Sequence, residues 1–301
     1  MLSKTQSVSQ GSGRPPAAVE LAPEGVLAAS LPGTGQPLVY AFAGLPSGAL
    51  TPGVAESNVR AADTVADAVR SALDQVVPNS RAVTLILPDT SVRVFVLDFD
   101  SLPSKAAEAV PVLRFRLRKM VPFDVEHAAL SYQILVQDKS MVKVLATVMP
   151  GPILAEYEAV VHAAGYEPGA VLPSSLAALA ALDSLEPILA ANLSGVALTT
   201  SITSGQDLLL YRTLELPEDI SARLAEVQRS IAVAAAYFED KLAGRPRQLH
   251  YAGIANAQSF ARLLGDTDMT VVEMAPRPAT GAATTMGTMS VAGITGALAG
   301  A

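Results

Sequence analysis

Few side chains in this sequence could do chemistry, and they are scattered. Three histidines, His127, His162 and His250, lie far apart and show no ligand spacing, as expected of surface or core histidines. Ser174-Ser175 lacks the Gly-x-Ser-x-Gly setting of a nucleophile elbow and has no evident base. Asp89, Asp98 and Asp100 come nearest to a cation site, but no loop spacing supports one, and turn capping accounts for them. Gly11-Ser12-Gly13 belongs to a polar tail, not to a phosphate loop. With no cysteine, disulfides, thiol chemistry and Cys-based zinc sites are excluded. One cluster stands out, Arg114, Arg116, Arg118 and Lys119, in a chain of net charge −7. It reads either as a solvated helix face or as a docking surface for an acidic peptide or anionic lipid headgroups.

The elements that must position these residues are mixed. At 301 residues and 50% hydrophobic, the chain can form one large domain or two medium ones. The acidic balance argues against a nucleic-acid partner. Residues 1–16 are polar, lack an apolar signal core and read as a disordered tail. No run reaches the roughly 18 apolar residues of a spanning helix. The uncharged segment 286–301 reads as a packed helix or a loose end, so a soluble cytoplasmic protein is expected.

Two strands around Pro23-Glu24-Gly25 and a third at 38–43 precede a helix at 62–76, where Val65, Val69, Leu73 and Val76 recur at helical spacing. Strands follow at 83–87 and 92–98. Crowded alanines begin a helix before Pro111, and a basic helix is expected at 113–120, ended by Pro122. A hairpin at 129–136 and 142–149, a helix at 153–164 capped by Gly165, a short strand at 171–172 and a buried helix at 174–182 come next. The last third repeats the first: strands at 189–193, 197–203 and 207–212, a long helix at 218–242, a strand at 249–253, a helix at 258–264 and a short strand at 270–274. Two such halves form a weak internal repeat of α/β type.

The middle segment, 83–182, carries a resemblance. It has a strand ending in Pro88-Asp89, a Leu102-Pro103 turn, a helix ending in Pro122-Phe123, a Tyr132-Gln133 strand, and Ala163-Ala164-Gly165 with Pro168 before Ser175-Leu176-Ala177. That order resembles the PilM family, the cytoplasmic actin-like proteins of type IV pilus assembly. The resemblance implies an actin-like, ribonuclease H-like fold of two α/β halves: 17–183, including an FtsA/PilM-type inserted subdomain at about 92–148, and 184–301 with the C-terminal tail.

In that superfamily two Asp-x-Gly hairpins cradle phosphate and magnesium. Glycine lets the backbone approach the oxygens, and the carboxylate holds water or the metal. Here the first site carries Glu20 where Asp would stand and Ala22 where Gly would. The second carries Asn192 in place of the carboxylate and Ser194, before Gly195, in place of the glycine. The Gly-Gly turn expected at the adenine retains only Gly253. All three departures weaken binding, so ATP with Mg is expected to be held weakly or not at all, and ATP hydrolysis is not expected. Solvated strand ends account equally well for Glu20 and Asn192.

The resemblance also implies a partner. In PilM-like proteins a groove beside the inserted subdomain grips the N-terminal tail of the inner-membrane protein PilN. Carried over, Phe95, Leu113, Arg116, Leu117 and Phe123 would line it, with core packing as the alternative for the apolar ones. The expected role is a scaffold peripheral to the inner membrane, in contact with other pilus assembly components. Rival readings are an active Mg-ATPase using Glu20 and Asn192, and the cytoplasmic actin-like module of a GspL-like type II secretion protein. Such proteins normally continue into a membrane span, which this sequence does not show. Self-association of the FtsA-like kind stays open.

Overall fold

The computed structural model describes residues 14–33, 36–182, 184–205, 207–276 and 289–299. The Gly11-Ser12-Gly13 tail lies outside them. Three strands, β1 (Ala17–Ala22), β2 (Gly25–Ser30) and β3 (Val39–Gly44), form an antiparallel meander. Helix α1 (Ala62–Val76) leads to β4 (Ala82–Leu87), which lies parallel to β1. The chain then builds β5 (Arg93–Phe99), α2 (Ala106–Leu117), β6 (Ala128–Gln137) and β7 (Val142–Pro150). Helix α3 (Gly151–Ala163) returns it to β8 (Glu167–Pro173), parallel to β4, and α4 (Ser174–Leu179). The first sheet therefore has the order β3-β2-β1-β4-β8.

The second half repeats this plan. Strands β9 (Ile188–Leu193), β10 (Ala197–Ser204) and β11 (Asp207–Glu215) form a meander, followed by α5 (Ile220–Leu242) and β12 (Gln248–Gly253). Helix α6 (Ala257–Leu264) and β13 (Thr270–Glu273) complete a sheet of order β11-β10-β9-β12-β13. Matching strand orders in two halves, each a meander extended by parallel strands, form the actin-like architecture. A separate sheet, β5-β7-β6, is the inserted subdomain.

The cores follow from the patterning. α1 lays Val65, Val69, Ala72, Leu73 and Val76 on one face of the first sheet, with Asp63 at the positive end of its dipole. In the second half α5 starts at Asp219, whose side chain accepts from the Ala222 amide, and buries Val227, Ile231, Ala234 and Phe238. The expected hairpin β6–β7 and the Gly165 cap are both present; Gly165 has φ +88, and the Tyr166 amide closes the turn on the Val161 carbonyl.

Three boundaries differ from the sequence reading. The basic helix starts earlier and ends earlier, at Ala106 and Leu117, and accommodates Pro111. Ala107 and Pro111 are exposed, so water can reach the carbonyl that proline leaves without a donor. Strand β8 begins at Glu167 rather than 171, because its parallel ladder to β4 runs from Ala82 to Leu87. Helix α4 stops at Leu179, and residues 180–182 tighten into three-residue bonds onto Ala177, Ala178 and Leu179. Of the two readings of the C-terminal segment, the packed helix holds: α7 (Ala292–Leu298) is buried. It packs on α4 and against β1, β2 and β4, so the C-terminal helix returns to the first half. Gly296 lies so close to the Ala177 backbone that no side chain would fit between them. Residues 277–288 are outside the described chain.

Candidate functional site

Parallel strands deliver side chains to the ends where their connections begin, and two such halves facing each other leave a cleft. Here β1 supplies Glu20, the turn after β4 supplies Asp89, and the first turn of α4 supplies Ser174 and Ser175. β9 supplies Asn192, and β10 and β11 supply Thr199 and Tyr211. The cleft encloses about 680 Å³, counting its open mouth.

A continuous polar network crosses the cleft floor. The Ser174 hydroxyl donates to Glu20 Oε1 at 2.5 Å. Asn192 Nδ2, from the opposite half, donates to Ser175 Oγ at 2.9 Å and reaches Ser174 Oγ at 3.5 Å. Asp89 accepts from the Ser175 amide at 3.0 Å and from the Ser175 hydroxyl. It also accepts from Thr199 Oγ1 and from the Tyr211 hydroxyl, each at 3.1 Å, both on the second half. Asp89 thus ties the two halves together through four donors. At the rim, Arg93 of the insert pairs with Glu215 of β11 at 3.0 Å, an exposed contact that adds little.

Burial sets the electrostatics. Glu20 is 7% exposed, and loss of hydration raises its pKa from 4.5 to about 7. The hydrogen bond from Ser174 opposes that rise, the charge of Asp89 adds to it, and the Ile294 amide at the start of α7 offsets part. Glu20 Oε2 makes no hydrogen bond of ordinary geometry. It lies against Gly293, where a Cβ would stand 2.7 Å away, so α7 closes over the carboxyl. Burial also pushes Asp89 up, against the pull of its four donors. Tyr211 is raised well above its ordinary value by burial and by the neighbouring Asp89.

The structure brings Glu20, Ala22, Asn192, Ser194, Gly195 and Gly253 to one cleft. Their local roles are specific. The Ser194 hydroxyl accepts from the Val196 and Ala197 amides at 3.3 and 3.0 Å, so this turn satisfies its own donors. The Gly195 carbonyl is held by Arg223 at 3.1 Å, and a Cβ on Gly195 would lie 3.3 Å from the Glu24 carboxylate of the facing hairpin. Gly253 has φ +138, and a side chain there would strike the Leu193 carbonyl, so the β9–β12 contact alone demands glycine. Among the described residues lining the cleft there is no Lys or Arg, whereas Glu20, Glu24 and Asp89 are present. No described group of three acidic or histidine side chains could hold a metal.

The five groove candidates separate. Leu113 and Leu117 are fully buried in the insert core with Leu97, Val144 and Ala146, and they offer no surface to a partner. Phe95 and Phe123 are half-buried against the same core, and Arg116 is exposed on the outer side of α2. Sequence reasoning took Asp89 for a turn cap and missed Thr199 and Tyr211. The available signal was a carboxylate directly after the buried run 83–87, at the end of a parallel strand.

No protein-family model matches the sequence, and no curated protein does. Similar solved structures do exist. The chain is similar to one in the "PilM-PilN type IV pilus biogenesis complex", with TM-score 0.71, 17% identity, and coverage of 94% of this chain and 96% of that one. It is also similar to the cytoplasmic domain of EpsL, an inner-membrane component of the type II secretion system of Vibrio cholerae, with TM-score 0.50, 13% identity, and coverage of 79% and 81%. At these identities the likeness concerns architecture: the chain has a PilM-like, actin-like fold over nearly its whole length.

Proposed function

We propose that this chain is a cytoplasmic actin-like scaffold of a type IV pilus assembly machine. It binds the N-terminal tail of an inner-membrane PilN-like partner, and its own side chains hold its cleft where relatives would use a nucleotide. The observation that carries the scaffold reading is the near-complete overlap with the chain of the PilM-PilN complex. No described helix is long and apolar enough to cross a membrane.

The cleft chemistry supports the rest. A triphosphate needs cations or free amides facing it, and Mg needs carboxylates that are not already spoken for. Here the described lining has no cation, the Ser194 turn uses its own amides, and Asn192 and Asp89 are engaged in cross-cleft bonds. The residues present do not fit Mg-ATP, and no hydrolytic step is assigned. For the partner tail, half-buried Phe95 and Phe123 on the insert are the reachable apolar contacts.

A second reading, a type II secretion module, is favoured by the likeness to the EpsL cytoplasmic domain. Deleting the gene separates them. Loss of surface pili with secretion intact supports the pilus role, and the reverse outcome assigns the chain to secretion.

A further inference from the structure

We propose that the outward face of α2 docks on an anionic membrane surface. This goes beyond partner binding and does not rest on it. α2 uses Ala109, Leu113 and Leu117 to pack on the insert sheet, so its opposite face points to solvent. Phe115 stands at the apex of that face and is 72% exposed. Val112 (37%) lies about one turn earlier on the same side, and Met120 (42%) follows in the turn after the helix. A phenylalanine so exposed gains nothing from water.

The charges around this face are arranged to match. Arg114 is turned inward onto the Val125 and Ala128 carbonyls, and Arg118 is neutralised by Glu126 at 2.5 Å. Arg116 and Lys119 are exposed, and among the described residues neither has an ion pair. Glu108, about two turns before Arg116, is offset by Lys105 at 3.8 Å. The asymmetry extends over the molecule. Residues 93–150 carry eight Lys and Arg against six Asp and Glu, net +2, so the rest of the −7 chain is −9. That separation orients the insert toward a negative surface and turns the remainder away.

The occupant follows from shape and chemistry. An extended peptide is read by a groove with pockets, whereas this is a projecting helix face with an aromatic tip and two flexible cations. Such a face suits the headgroup region, where the ring enters the acyl boundary and the cations reach lipid phosphates. Each cation near an anionic leaflet is worth about fivefold in binding, and partial insertion of one phenylalanine about tenfold. The contact is therefore weak and reversible, an orienting contact rather than an anchor.

The test is co-sedimentation of the full chain with vesicles of phosphatidylglycerol and phosphatidylcholine, against phosphatidylcholine alone, at low and high salt. Expected is binding to the anionic vesicles only, lost at high salt. Phe115→Ser should weaken it about tenfold, and Arg116→Glu combined with Lys119→Glu should abolish it. All three side chains are exposed, so melting temperatures should not move, and Arg229→Glu on α5 should bind as the parent does. Equal binding to both vesicle types, no binding to either, or parental binding by the α2 variants would overturn the proposal. So would saturable binding of soluble polyglutamate to α2 that Phe115→Ser leaves unchanged, which would make the face a site for acidic peptide.

Discussion

Glu20 offers the sharpest physical test of the cleft. Its folded-state pKa of about 7 lies above its ordinary 4.5, so the folded protein holds this proton more tightly than the unfolded chain does. The contribution to stability is therefore fully present below about pH 4.5 and is lost as pH rises toward 7. At 1.36 kcal/mol per pH unit the interval corresponds to about 3 kcal/mol. Asp89 is shifted in the same direction and adds to the loss. Glu20→Gln keeps an oxygen for the Ser174 hydroxyl and removes the titration. The amide that replaces Oε2 would face the Ile294 amide, at a cost that does not change with pH. The quantity to measure is thus the difference in urea unfolding free energy between variant and parent, from pH 4.5 to pH 8. It should rise by about 3 kcal/mol in favour of the variant across that range and flatten above pH 7.5. Parallel curves would mean that Glu20 is hydrated and that α7 does not close over it.

Other substitutions probe the same frame. Asp89→Ala leaves the donors of Ser175, Thr199 and Tyr211 without their acceptor. It should cost about 3 kcal/mol in urea unfolding and raise amide exchange in β4 and β10 together. Gly253→Ala forces a side chain into a left-handed position against the Leu193 carbonyl and should cost at least about 3 kcal/mol, with or without nucleotide. Leu113→Ala empties a fully buried position and should destabilise the insert by about 2–5 kcal/mol, seen as early proteolysis within 93–150 while the two large sheets stay protected.

Much of the frame was legible in the sequence because the signals were local. α1 and α5 show clear helical periodicity with acidic starts, and the meanders are short apolar runs around tight turns. α2 was misplaced because Pro111 looks like a stop, and only the exposure of that side of the helix explains its tolerance. α7 was hard to see because glycine and alanine carry little hydrophobic signal. What they supply is close approach, Gly293 to Glu20 and Gly296 to Ala177, and that is visible only once the partners are in place. The cleft network was illegible for the same reason: Ser174 meets Glu20 across 154 residues, and Tyr211 meets Asp89 across 122. Glu20 and Asn192 entered through a family resemblance to a nucleotide site, whereas Asp89, which ties the halves together, entered only as the end of the Pro88-Asp89 strand and as a turn cap.

The most direct measurement is the binding of a labelled synthetic peptide, the N-terminal cytoplasmic segment of a PilN-like inner-membrane protein from the same organism. It would be followed by fluorescence anisotropy with and without millimolar Mg-ATP. The scaffold reading predicts saturable binding that Mg-ATP leaves unchanged and that Phe95→Ser or Phe123→Ser weakens. No binding by the folded protein, or binding that requires Mg-ATP, would contradict it.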